Sequence, residues 1–234
     1  MTSARRIIVA LDFPTVGEAE AIVDRLGDAG QSYKLGLELL TVTGPALATR
    51  LVAEGKDVFL DLKLFEIPAS VAGAVRAAGR LGATMVTVHA MAGTRIMKAA
   101  VEAAAEYPQL RIIALTVVTS LTDTDLTEIG LSATAKEQVV RLARLAQHAG
   151  CHGVVAAPHD AALLRAELGP DPLIVTPGVM LRAELARGTA TEHVQPADPA
   201  TAIRAGATHI VIGRSLTRAA DPAAVLAHLE EELR

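Results

Sequence analysis

Between Val58 and Pro68 the sequence reads Val-Phe-Leu-Asp-Leu-Lys-Leu-Phe-Glu-Ile-Pro, an apolar run that delivers two acids around a lysine before a proline closes it. Val58–Leu62 reads as a buried strand. Asp61 and Lys63 stand two apart, so on an extended chain both point to the same side. Charges at the end of a buried strand are costly unless they compensate one another. A lysine held among acids there can stabilise negative charge as it develops on a reacting group and then deliver a proton. The competing reading is a solvated salt bridge in the loop after the strand.

The elements around this segment say which chemistry it serves. Short apolar runs recur at Ile7–Leu11, Tyr33–Leu37, Val58–Leu62, Met85–His89, Ile112–Val117, Gly153–Ala157, Leu173–Thr176 and His209–Ile212. Between them lie Ala-rich stretches of helical period, at Val16–Leu26, Gly44–Ala53, Ser70–Leu81, Ile96–Ala105, Ala135–Ala149, Ala161–Leu168, Pro199–Ala205 and Pro222–Leu233. Strand–helix alternation of this kind over residues 1–234 predicts an α/β fold, a single (β/α)8 TIM barrel in one domain. A doubly wound open sheet is the runner-up; it would use fewer strands, and no G-x-G-x-x-G follows the first run. Gly55, Gly82, Gly150 and Gly206 fall between a helix and the next strand, where a left-handed C-cap belongs. Polar residues gather after the strands instead: Asp12, Lys34, Asp61, Lys63, His89, Thr119, Ser120, Thr176 and Arg214. In a barrel all of these share one mouth, and two lysines, two aspartates and an arginine converging there point to an active site.

Composition narrows the function further. Over half of the 234 residues are hydrophobic but only 2% are aromatic, so the core is built of Ala, Val, Leu and Ile, as suits parallel strands wrapped by helices. A net charge of -4 with no basic run argues against nucleic-acid binding. No signal peptide and no membrane-spanning stretch is read, and a soluble cytoplasmic protein is expected. The lone Cys151 permits no internal disulfide and reads as an inert residue before a strand. His148, His152, His159, His209 and His228 have no ligand spacing and read as structural or solvated; His89, at a strand's end, reads as a polar ligand contact, with a packing role as the alternative.

After the last strand comes Ile212-Gly213-Arg214-Ser215-Leu216-Thr217. Gly213 lets an anion approach the backbone, and Arg214 can fork onto phosphate oxygens. Val175-Thr176-Pro177-Gly178-Val179 supplies the other half of a cradle, since barrels often hold phosphate in the loops after strands seven and eight. A phosphorylated small molecule is the expected ligand.

With these residues assembled, the chain resembles the orotidine 5'-phosphate decarboxylase family from end to end. The likeness runs through Ala10-Leu11-Asp12, Lys34-Leu35-Gly36, Asp61-x-Lys63, Val88-His89-Ala90, Leu115-Thr116-Val117-Val118-Thr119-Ser120, Thr176-Pro177-Gly178, Ile212 to Thr217 and Asp221-Pro222. The resemblance implies metal-free decarboxylation of orotidine 5'-phosphate to UMP in pyrimidine biosynthesis, with no flavin or pyridoxal. It makes Lys63 the proton donor to C6, sets Asp61 beside the substrate carboxylate, and has Lys34 orient it. Glu66 reaches the site of the other subunit of a homodimer. Asp12, Thr119 and Ser120 contact ribose and base; Gly213 and Arg214 hold phosphate.

Three departures stand out. Glu66 replaces the family's second Asp, moving the carboxylate by about 1 to 1.5 Å, a displacement that can cost about a hundredfold in rate. Phe65 stands where a His is usual. The loop from Met180 to Asp198 lacks the expected Arg and Gln, the nearest equivalents being His193 and Gln195; Arg182 and Arg187 read as solvated. The alternatives these departures leave open are a relative acting on another carboxylated ribonucleotide, a metal-dependent sugar-phosphate lyase or isomerase, and a silent nucleotide binder.

Overall fold

The computed structural model describes residues 3–187 and 196–233. Eight parallel strands close into a barrel in chain order: β1 (Ile7–Ala10), β2 (Ser32–Leu35), β3 (Asp57–Leu64), β4 (Met85–His89), β5 (Arg111–Leu115), β6 (Gly153–Val155), β7 (Leu173–Val179) and β8 (His209–Ile212). The seam is made by β1 and β8, with Ile7, Ile8 and Val9 opposite Ile210, Val211 and Ile212. The expected TIM barrel is therefore the observed fold.

Side-chain alternation builds two cores. Ile8, Ala10, Phe59, Ile113, Leu115, Val155, Val175 and Val211 fill the barrel interior. Their strand neighbours, such as Ile7, Val9, Val58, Leu60, Val86, Val88 and Ile112, pack outward against the helices. Ala-rich helix faces suit this arrangement, since small side chains let each helix lie close on the sheet. The helices Val16–Leu26 and Ala161–Leu168 have the bounds read from periodicity. Thr134 and Glu137 form a capping box that starts Ala135–His148, and Pro68, Pro199 and Pro222 each open a helix. Gly55, Gly82, Gly150 and Gly206 all take positive φ, as their places after helices required.

Two expectations are corrected. β2 ends at Leu35, not Leu37: Leu37 is exposed and opens a further helix, Leu37–Thr43, before Ala46–Ala53. Thr176 does not lie at the mouth. β7 runs on to Val179, so Thr176 is fully buried inside it and its hydroxyl donates to the His209 carbonyl (3.3 Å).

At the opposite end of the barrel the sequence supplies structural polar groups. The Arg6 guanidinium donates to the Thr208 carbonyl (3.1 Å), and His209 is buried against the Thr208 hydroxyl (2.9 Å). His152 accepts the Ile112 N–H through Nδ1 (3.0 Å), tying β5 to the residue before β6. Burial pushes the Cys151 thiol up to about 12, which keeps it protonated and unreactive. No helix among the described residues is long and apolar enough to cross a membrane.

Candidate active site

Four charged side chains form a continuous line over the C-terminal ends of β1, β2 and β3. Lys34 Nζ donates to Asp12 Oδ1 (2.8 Å) and lies 3.6 Å from Asp61 Oδ2. Lys63 Nζ reaches the same Asp61 oxygen at 2.9 Å. The order is acid, base, acid, base, so each buried charge has an opposite neighbour. The line is deepest in its middle: side-chain exposure is 10% for Lys34 and 15% for Asp61, but 34% for Lys63 and 59% for Asp12 at its ends. Asp61 is thus the buried pivot between two ammonium groups, of which Lys63 is the more exposed. The strands make this possible because Lys34 and Asp61 occupy inward positions near the barrel mouth, Lys34 lying opposite Phe59 across the β2–β3 pair.

Lys63 reaches Asp61 by a different route from the one the sequence suggests. Simple alternation is broken: Lys63 has φ of 49°, the one positive value among the described non-glycine residues. Against β4, Leu60 pairs with Val86 and Leu64 with Val88, so β3 carries a bulge between these pairs. The bulge is filled by Thr87, which sequence reading overlooked. Its hydroxyl donates to Asp61 Oδ1 (3.0 Å) and accepts the Lys63 N–H (2.8 Å). Gly36 was also missed as a positional requirement. A Cβ there would sit 3.0 Å from Asp12 Oδ1 and 3.3 Å from Lys34 Nζ, so the ion pair would have to give by a few tenths of an ångström to admit one.

The remaining site residues fall into three groups. His89 ends β4, accepts the Met91 N–H through Nδ1 (3.2 Å) and lies with its ring centroid 5.8 Å from that of Phe65. Burial, then the charge of Lys63, pull its pKa down and favour the neutral ring. Thr119, half-buried, and Ser120, exposed, follow β5 at the same mouth. On the far side, a second irregularity sits where Thr176 pairs with Ile210 and Val179 with Ile212. Gly178 takes φ of 78° there, Pro177 is half-buried, and Gly213 with the exposed Arg214 follows directly on β8. The charged line therefore comes from β1–β3, braced by β4, while the cradle read as a phosphate site comes from β7 and β8.

Glu66 is exposed in the turn between β3 and the helix Pro68–Leu81, flanked by exposed Phe65 and Ile67. It does not join the line within its own chain. Met180 N–H donates to the Ala197 carbonyl (3.0 Å), pinning the far end of the following loop to β7. Arg182 contacts Asp198 (3.5 Å). His193 and Gln195 lie outside the described residues. A groove of about 890 Å3 lies elsewhere, against the outer face of Ala135–His148 and including Lys136, Arg141 and Arg144. The density of paired charge, rather than the depth of a cleft, marks the site. Among the described residues no group of three or more His, Cys, Asp or Glu could hold a metal ion.

A closed parallel barrel whose mouth gathers compensated lysines and aspartates has the form of a (β/α)8 enzyme, a fold that keeps its active sites at the C-terminal ends of the strands. Residues 5–229 match the orotidine 5'-phosphate decarboxylase / HUMPS family. The chain belongs to that family. It is 47% identical over 232 residues to the orotidine 5'-phosphate decarboxylase of Alkalilimnicola ehrlichii, covering 99% of this chain and 97% of that one. Identity to the Caulobacter vibrioides enzyme of the same name is 48% over 226 residues, covering 95% and 94%. The crystal structure of orotidine 5'-phosphate decarboxylase from Lactobacillus acidophilus superposes with a TM-score of 0.86 at 32% identity, covering 98% of this chain and 99% of that one. An uncharacterized conserved protein from Geobacillus kaustophilus gives 0.85 at 37% identity, with 97% and 100% covered.

Proposed function

We propose that this chain, a carboxy-lyase of its family, converts orotidine 5'-phosphate to UMP, and that the line Asp12–Lys34–Asp61–Lys63 is its catalytic apparatus. The observation that carries the reading is the part-exposed Lys63 ammonium held 2.9 Å from the buried Asp61. The bond from C6 to the carboxylate breaks, CO2 leaves, and the electron pair stays on C6. Lys63 stabilises that carbanion and gives it a proton; water then returns one to the amine. An ammonium about 3 Å from the developing charge contributes about 5 kcal/mol at an effective dielectric constant of about 20, on the order of four powers of ten in rate. Asp61 lies where the leaving carboxylate is directed, and Lys34 neutralises Asp61 while orienting Asp12 toward the ribose. Thr119 and Ser120 contact the base, with His89 at the edge of that contact. Pro177, Gly213 and Arg214 take the phosphate, whose binding energy holds the substrate against the charged line.

The working unit is a homodimer in which Glu66 acts across the interface. Of the large hydrophobic residues exposed among the described residues, Leu37, Val42, Phe65 and Ile67 sit in the segments after β2 and β3, and Phe65 and Ile67 bracket Glu66. A surface of that kind suits a second copy, which would bring its Glu66 beside the charged line.

The test is loss of orotidine 5'-phosphate absorbance in excess chelator, with Lys63→Ala as control. Lys63-dependent turnover supports the reading. Undiminished turnover in Lys63→Ala removes Lys63 from its role, and no turnover by the unaltered chain overturns the proposal. Mixing the inactive Lys63→Ala and Glu66→Ala chains tests the dimer. Random exchange of subunits restores about a quarter of the sites only where Glu66 and Lys63 of one site come from different chains.

A further inference from the structure

We infer that Thr87 is the positioning residue for the catalytic pair, a role that rests on the function proposed above. Thr87 stands at an inward position of β4 opposite the β3 bulge and is fully buried. A threonine hydroxyl has one proton and two lone pairs, so it can donate once and accept at the same time. Both capacities are used on one short segment: the proton goes to Asp61 Oδ1 (3.0 Å) and a lone pair takes the Lys63 N–H (2.8 Å).

These two bonds fix different things. The bond to Oδ1 sets the rotation of the Asp61 carboxylate, and Oδ2 is thereby left facing the Lys63 and Lys34 ammonium groups at 2.9 and 3.6 Å. The bond from the Lys63 amide replaces the ladder bond that the bulge removes. It holds a lysine in left-handed backbone, φ 49°, a conformation that L-residues leave readily when nothing holds them. One side chain therefore controls both the acid's orientation and the point from which the lysine side chain starts. Its side-chain hydrogen bonds go to Asp61 and Lys63, neither of which belongs to the proposed phosphate cradle or to the turn after β5. Its removal should consequently move the chemical step and leave ligand affinity alone.

The experiment compares the full-length chain with Thr87→Val, which keeps the shape and loses the hydroxyl, and Thr87→Ser, which keeps the hydroxyl. In Thr87→Val, kcat for orotidine 5'-phosphate should fall by about ten- to a hundredfold, the size of effect seen when catalytic groups shift by about 1 Å. UMP affinity should stay within about threefold, and Thr87→Ser should recover most of the rate. Amide exchange at Lys63 should quicken in Thr87→Val and not in Thr87→Ser. Where Thr87→Val does not accumulate as folded protein, Thr87→Ala carries the same comparison. A kcat for the valine variant within about threefold of the parent overturns the inference, as does a parallel loss of UMP affinity. Unchanged Lys63 exchange overturns it too. This exchange measurement needs no turnover, so a parent chain inactive on orotidine 5'-phosphate would sink the proposed function without deciding the role of Thr87.

Discussion

Replacing Lys63 by glycine should give a more stable protein than replacing it by alanine, although both lose the reaction. Lys63 sits at φ 49°, within the left-handed region. For an L-residue that backbone costs about 1–2 kcal/mol, a cost glycine escapes. Glycine gives back about 0.4–1 kcal/mol through the freedom of its unfolded chain. The ion pair with Asp61 is lost in both variants and cancels, so the net advantage of glycine is about 0.5–1 kcal/mol. For a domain of this size that is a rise of about 1–4 °C in melting temperature over the alanine variant. Thermal and urea unfolding of the two variants side by side, without ligand, measure the difference. An alanine variant as stable as the glycine one, or more so, would refute the argument: the backbone would then relax once the ammonium is gone, and the bulge would not impose it.

Three further outcomes are expected. Arg214→Ala should weaken UMP by about ten- to a hundredfold, the worth of a charge-assisted bond, and leave uridine unaffected; equal weakening in titrations of both would remove Arg214 from the phosphate. Glu66→Asp should preserve or raise kcat if the longer acid is a tolerated variation, and a large loss in the absorbance assay would mean the site is built around it. Acid should destabilise the fold through His209, whose pKa burial lowers from 6.5 to about 4. The folded state resists protonation while the unfolded chain accepts it, so stability is whole above about pH 6.5 and falls by roughly 3 kcal/mol down to about pH 4. Chemical denaturation across that window checks this, and His209→Asn should flatten the slope.

The parts of the molecule legible in the sequence are those set by local pattern. Apolar runs and helical period suffice for the eight strands and for helices such as Val16–Leu26, because alternation against a barrel interior and a helix layer writes itself into residue spacing. Asp12, Lys34, Asp61 and Lys63 were legible for a related reason: charge at the end of a buried strand demands compensation. The bulge was not legible, since it depends on a hydroxyl 24 residues from the Lys63 amide and no spacing rule within β3 reports it. The helix Leu37–Thr43 was hidden because Leu35, Leu37 and Leu39 continue the apolar run of β2. The Asp123–Glu128 helix carries a capping box from Thr122 to Asp125, but its six residues give too short a period to notice. Glu66 poses a different difficulty: it is exposed in the turn after β3 and outside the charged line of its own chain, so neither local pattern nor packing singles it out.

The division of the mouth between β1–β4 and β7–β8 ties ligand binding to the way the barrel closes. The charged groups come from the first half of the chain and the cradle proposed for the phosphate from its end, and the two strand sets adjoin where β1 docks on β8. A ligand that engages both is a clasp across this seam. Opening the seam must release it, so the ligand's binding free energy adds to the resistance of the pairing between Ile7–Val9 and Ile210–Ile212 against fraying. Bound in the proposed manner, the substrate would be the last contact of the fold, fastening the place where the two ends of the sheet come together.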